Sequence, residues 1–279
     1  MYLLYAAVLP AIALCVYVYK KDKVDKEPPK LLALLFAIGA LSTIPVIIVE
    51  MILDYIIIGI FGDSGVIYHL VDNFIGVALV EEGFKFLVLY LMTRNNRHFN
   101  SLFDGLLYSV FISLGFAAFE NILYVFQGGL QVALIRAVSA IPGHACFGVL
   151  MGYFYSMWHM TELAKKKEDL YKRYGLIHPN SPPFSSTSQK ISTLAVPIIA
   201  HGFYDFCLSV ENPIAIFVFA VFVIAMFIYC FVKIREMSKN DLHDSVYAGY
   251  LLIKKYPDLP RLIWEYNSRI AYNQSYRQQ

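Results

Sequence analysis

Charge is scarce in this 279-residue chain, where 23 lysines and arginines and 21 aspartates and glutamates make up 16% of the sequence. So small a share cannot cover the wet surface of a globular protein, and it accompanies a hydrophobic share of 58% and a mean hydropathy of +0.55. Cysteine is scarce too. Cys15, Cys146, Cys207 and Cys230 stand far apart in apolar runs without CxxC spacing, which excludes a disulfide framework and a thiolate zinc centre. A serine nucleophile motif, HExxH, GxGD and a phosphate-cradling GxxxxGK are all absent, so serine, gluzincin, aspartyl and nucleotide chemistries lack their residues. A net charge of +2 gives no footprint for nucleic acid.

What is present is apolar length. Runs of roughly 20 residues, enough to cross ~30 Å of hydrocarbon, lie at about 1–19, 31–60, 72–93, 101–127, 130–157, 191–210 and 212–234. They predict an all-α polytopic membrane protein with seven transmembrane helices. The first run starts at Met1 without a basic leader and reads as a retained helix. Basic residues set the orientation, since lysine and arginine collect in cytoplasmic loops. With the N-terminus outside, 21 of the 23 fall on the inner side, Lys85 and Arg136 lie within spans, and the outer loops FGDSGVIYHLV, QGGL and ENP hold none. The expected topology is N-out, C-in, with residues 1–71 as N-terminal spans, 72–210 as the core, and 211–279 as the last span and tail. Residues 158–190 read as a cytoplasmic loop, a charged helical extension followed by a Pro/Ser-rich linker. In the tail, Leu242, Val246, Tyr250 and Ile253 share one helical stripe suited to the inner membrane surface.

Against that background a few polar residues stand out. NFIGVALVEEGFKFLVLYLM, residues 73–92, would cross the bilayer with Glu81, Glu82 and Lys85 at its middle. Each ionised group there costs at least ~2.5–3.5 kcal/mol on insertion scales. Lys85 is one turn on from both acids, a single cation for two carboxylates that point about 100° apart. The fourth span adds Glu120 and Asn121. The fifth adds Arg136 and His144, the latter just after the helix-perturbing pair Pro142-Gly143. The sixth adds His201 and Asp205, which share a face at i, i+4. Counting ~1.5 Å per residue, Glu81, Glu120, His201 and Asp205 all fall in the outer half of the membrane, with His144 nearer the middle. Singly each has a mild reading: a lone histidine bonds two helices, Asp205 fixes the tautomer of His201, Arg136 balances Glu120. Gathered from four helices in a low-dielectric site, they are the parts of a water-activating hydrolase.

The ordered motifs EEGFK (81–85), FAAFEN (116–121), PGHACFG (142–148) and HGFYDF (201–206) resemble the PrsW intramembrane protease family over residues 72–210. That family is related to the CAAX prenyl endopeptidases, from whose EExxxR and HxxxN motifs Lys85 and Asp205 depart. The resemblance implies site-1 cleavage of a membrane-anchored anti-sigma factor in a bacterial plasma membrane. It makes Glu81 or Glu82 the general base, His144 and His201 the carbonyl-polarising or metal-binding groups, and Asp205 the orienter of His201; Glu120 has a place in the pattern but no role. A metal held by His144, His201 and Glu81, with zinc as the candidate, and a metal-free glutamate-activated water both remain open. Two other classes stand beside the protease: an ion-coupled transporter, although the two halves of the chain show no repeat, and a non-catalytic membrane scaffold.

Overall fold

In lipid a segment must satisfy its own backbone N–H and C=O groups, which leaves helix as the form for a long apolar run. The computed structural model describes residues 2–210 and 212–277; Met1, Glu211 of the expected ENP loop, Gln278 and Gln279 lie outside the described residues. Helices α1 (Tyr2–Tyr19), α2 (Pro29–Phe61), α3 (Val66–Val71), a π-helical segment (Asp72–Ala78) and α4 (Leu79–Thr93) are followed by α5 (Asp104–Val138), α6 (Ala140–Arg173), α7 (Thr187–Ser209), α8 (Pro213–Lys239), α9 (Asp244–Lys255) and α10 (Leu259–Arg277). Among the described residues four helical stretches are long and apolar enough to cross a membrane: Pro29–Phe61, Asp104–Arg173, Thr187–Ser209 and Pro213–Lys239. The second includes both α5 and α6.

The centre of the bundle is α5. From Asp104 to Ala118 nearly every side chain is buried, with α6 along one flank and α1 and α2 along others. Glycine permits the closest approach. A Cβ on Gly39 of α2 would overlap the Ile112 carbonyl of α5, and one on Gly115 of α5 would overlap the Phe36 carbonyl of α2. Backbone therefore meets backbone at this crossing. By contrast α8 is apolar all round and exposes Ile214, Phe217, Ile224 and Ile228, as a lipid-facing helix does.

Two details differ from the expected spans. The QGGL stretch is not a plain loop between two crossings: α5 bends at Gly129 (φ 70°) and runs on to Val138, and this second arm turns back so that Arg136 Nε donates to Asn121 Oδ1 at 3.0 Å. Ala133 of the returning arm packs with Val125 and with Ala7 of α1. Pro142-Gly143 does not perturb a helix interior either, because α6 starts at Ala140 and a proline in the first turn has no intrahelical donor to lose.

At the lysine-rich end, three segments are tied together. Phe103 N–H donates to Asp241 Oδ1 (3.0 Å), Leu102 N–H to Leu242 O (3.0 Å) and Asn100 Nδ2 to Asp25 Oδ2 (3.1 Å). The tail stripe is present on α9, where Val246, Tyr250 and Ile253 are exposed.

Candidate active site

The π-helical segment leads directly into the acidic pair. Its bonds reach one residue further back than in an α-helix, Leu79 N–H bonding to Phe74 O, and such segments recur at functional sites. Asn73 fixes it, donating to His69 O (2.6 Å) and to Ser209 Oγ of α7 (3.1 Å). Phe74 lies against Gly202, a contact that leaves no room for a side chain at position 202. α4 is thus held against α7 just above Glu81.

Lys85 is fully buried and each of its three N–H bonds has a target: Glu81 Oε2 (2.9 Å), Glu82 Oε1 (2.7 Å) and His144 Nδ1 (3.1 Å). Its ammonium also lies 4.2 Å from the Phe116 ring centroid. The lysine reaches both acids, still one charge against two. An ammonium only donates, so this contact makes His144 Nδ1 an acceptor and leaves the ring proton on Nε2, which donates to Glu120 Oε2 at 2.9 Å. Arg136 Nη2 holds the same Glu120 oxygen at 2.9 Å. On α7, His201 Nδ1 faces Glu82 Oε1 (3.0 Å) and Nε2 faces Asp205 Oδ2 (3.1 Å).

The two histidines are therefore arranged alike. Each has Nε2 on a carboxylate, Glu120 or Asp205, and each turns Nδ1 toward Glu81, whose Oε2 is 3.9 Å from both. One donor atom from each of Glu81, His144 and His201 lies within 4.8 Å of the other two. For tetrahedral zinc with bonds of about 2.0–2.2 Å, ligand atoms sit about 3.3–3.5 Å apart, so a small contraction would close the set around an ion. A histidine ligand whose other nitrogen is held by a carboxylate is the usual arrangement around a bound metal. An ion bound here would take the place of the Lys85 ammonium on Glu81 Oε2 and His144 Nδ1, and with that displacement the residues present fit a metal.

All seven residues named from the sequence, Glu81, Glu82, Lys85, Glu120, His144, His201 and Asp205, belong to this one network. The cluster forms the floor of a 630 Å³ cavity that Glu81, Glu120, His144, His201 and Asp205 line and Glu82 does not. Its walls add residues that sequence reasoning passed over: Glu50 of α2, Asn73, Tyr124 and Ser209. Glu50 did carry a signal, as one of only two acids, with Asp54, in the apolar run 31–60. Asn73 and Ser209 are too common as surface residues to have stood out.

A profile of the PrsW family of intramembrane metalloproteases matches residues 27–232. Among curated proteins, Protease PrsW of Oceanobacillus iheyensis is 31% identical over 243 residues, covering 86% of this chain and 98% of that one. Protease PrsW of Clostridioides difficile is 32% identical over 256 residues (89% and 96%), and that of Bacillus subtilis 30% over 208 residues (73% and 81%). No solved structure matches the chain significantly. With the matched region enclosing the whole polar cluster, the chain belongs to the PrsW family and is a membrane peptidase.

Proposed function

We propose that this intramembrane protease hydrolyses a peptide bond of a membrane-anchored anti-sigma factor, the first cut in releasing its sigma factor, with Glu81 as general base. The substrate follows from the family resemblance; the choice of base rests on geometry. Glu81 Oε2 stands equidistant from His144 Nδ1 and His201 Nδ1 at the cavity wall, whereas Glu82 is fully buried between Lys85 and His201. A water beside Glu81 gives up a proton to it while attacking the scissile carbonyl carbon, and Glu81 returns that proton to the leaving nitrogen. Glu82 and Lys85 form a fixed charge pair that holds the registry of α4 against α7. Glu120 and Asp205 orient the two imidazoles.

The two roles of Glu81 are alternatives: as a ligand with His144 and His201 it would hold the family's metal, which would polarise the carbonyl and stabilise the developing oxyanion, and as a free carboxylate it is the base described above. In the same reading the protein sits in the bacterial plasma membrane with seven spans, N-out and C-in, and residues 72–210 supply most of the catalytic core.

The test is cleavage of a membrane-anchored anti-sigma reporter. Glu81→Gln, His144→Ala and His201→Ala each lower the rate by ~10² fold or more, while His159→Ala, outside the cluster, has a small effect. Full activity in Glu81→Gln would refute the assignment. Chelation followed by zinc rescue, with metal analysis of the purified protein, reports on the ion.

A further inference from the structure

The charges around the cavity do not balance among themselves. Of the carboxylates that line it, Glu81 is held by Lys85, Glu120 by Arg136 and His144, and Asp205 by His201. Glu50 is the exception. It enters from α2, its Oε1 is shut off from solvent with no hydrogen-bond partner, and no lysine, arginine or histidine nitrogen lies within 4.0 Å among the described residues. A buried carboxylate oxygen on a membrane helix, with no hydrogen-bond partner among the described residues, is a group whose partner comes from elsewhere.

The partner's chemistry follows from what surrounds Glu50. Lys30 and Lys85 are separated by 54 residues that contain no lysine or arginine. Asp54, one turn further along the same face of α2, accepts from Tyr68 Oη at 3.0 Å, and Asp63 and Asp72 follow in the same lysine-free end of the molecule. Glu50 and Asp54 thus share one side of α2, and the segment between Lys30 and Lys85 offers them no lysine or arginine. The occupant that this wall fits carries a positive charge, and in a peptidase the occupant is a polypeptide.

We propose that Glu50 is a specificity residue, pairing with a lysine or arginine of the substrate close to the scissile bond. This rests on the proteolytic reading of the site. Glu50 binds a flanking residue and takes no part in the water attack, so its signature is in the ranking of substrates.

The experiment uses the full chain reconstituted in liposomes and a set of quenched-fluorescent transmembrane peptides that carry Lys, Gln or Glu at successive positions flanking one cleavable bond. The wild-type chain favours Lys over Gln at one position by about tenfold or more in kcat/KM, the scale of a desolvated charge pair. In Glu50→Gln that ratio falls to near one, and in Glu50→Lys the Glu peptide overtakes the Lys peptide at the same position. An unchanged Lys-to-Gln ratio in Glu50→Gln overturns the inference, as does an equal loss on all three peptides, which would place Glu50 in the chemistry. Failure of the wild-type chain to cleave any peptide would instead count against the proteolytic reading itself.

Discussion

Glu120 shows how much one residue's meaning depends on its neighbours. In the sequence it has only a place in a motif; in the structure it accepts from His144 Nε2 as Asp205 does from the equivalent nitrogen of His201. Removing such a partner typically costs 10–100-fold in metal affinity or activity. Glu120→Gln is therefore expected to lose about 10–100-fold in cleavage and to bind zinc more weakly in competition with a chelator, while Glu81→Gln loses more in cleavage. Native zinc affinity in Glu120→Gln would contradict this role. The acids, the lysine and the histidines were legible because an ionisable group in an apolar helix has to have a reason. Glu50 has the same peculiarity, with Asp54 one turn on, but their run holds no base or histidine to suggest a chemistry. Which of Glu81 and Glu82 faces the cavity was not legible at all, since that is set by the rotation of α4, and the π-helical turn that contributes to it leaves no mark on the apolar pattern.

Helices were readable as lengths and not as contacts. The apolar runs all fall in helix, with four stretches among the described residues long enough to cross a membrane, yet the α2–α5 crossing depends on two glycines 76 positions apart whose pairing no periodicity reveals. Since a Cβ at either would meet a backbone carbonyl, Gly39→Ala and Gly115→Ala are each expected to destabilise by about 1–3 kcal/mol, as overpacking does. Gly59 lies in the same α2 with open space around it, so Gly59→Ala should stay within about 0.5 kcal/mol of wild type. Thermal unfolding in detergent compares the three; equal behaviour would mean that the crossing is not tight. The doubling back of α5 at Gly129 was missed because a Gly-Gly pair signals a turn without saying where the chain goes next.

For the molecule as a whole, side and pH are the measurable properties. Ser64 is exposed in the lysine-free end and Ser185 in the lysine-rich one, and the four native cysteines are buried. In intact cells a membrane-impermeant maleimide should label Ser64→Cys and spare Ser185→Cys; the opposite pattern would invert the proposed topology. At the lysine-rich end, burial pushes Glu27 up to about 8 and raises Asp22 and Asp241 as well. A carboxyl raised above its unfolded value of 4.5 holds its proton in the folded chain, so its stabilising contribution is complete below about 4.5 and fades as pH rises through about 8. The melting temperature in detergent should accordingly fall between pH 5 and pH 8.5, and Glu27→Gln should flatten that slope. A slope unaltered by the substitution would assign it elsewhere.

The ion cluster of α4 also has a history in time. A ribosome makes Glu81, Glu82 and Lys85 within five residues of one another, and one helical turn is enough to pair them, so in the proposed topology α4 would enter the membrane with its lysine already masked and a single excess negative charge. The groups that complete the cluster are made later: His144 follows Lys85 by 59 residues, and His201 follows Glu82 by 119. Throughout the synthesis of α5 and α6 the nascent chain carries a half-finished polar centre in lipid, and only the arrival of α7 closes it. The last part of the active site to be translated is thus the part that makes the first part comfortable in the bilayer, which ties completion of the enzyme to completion of its fold.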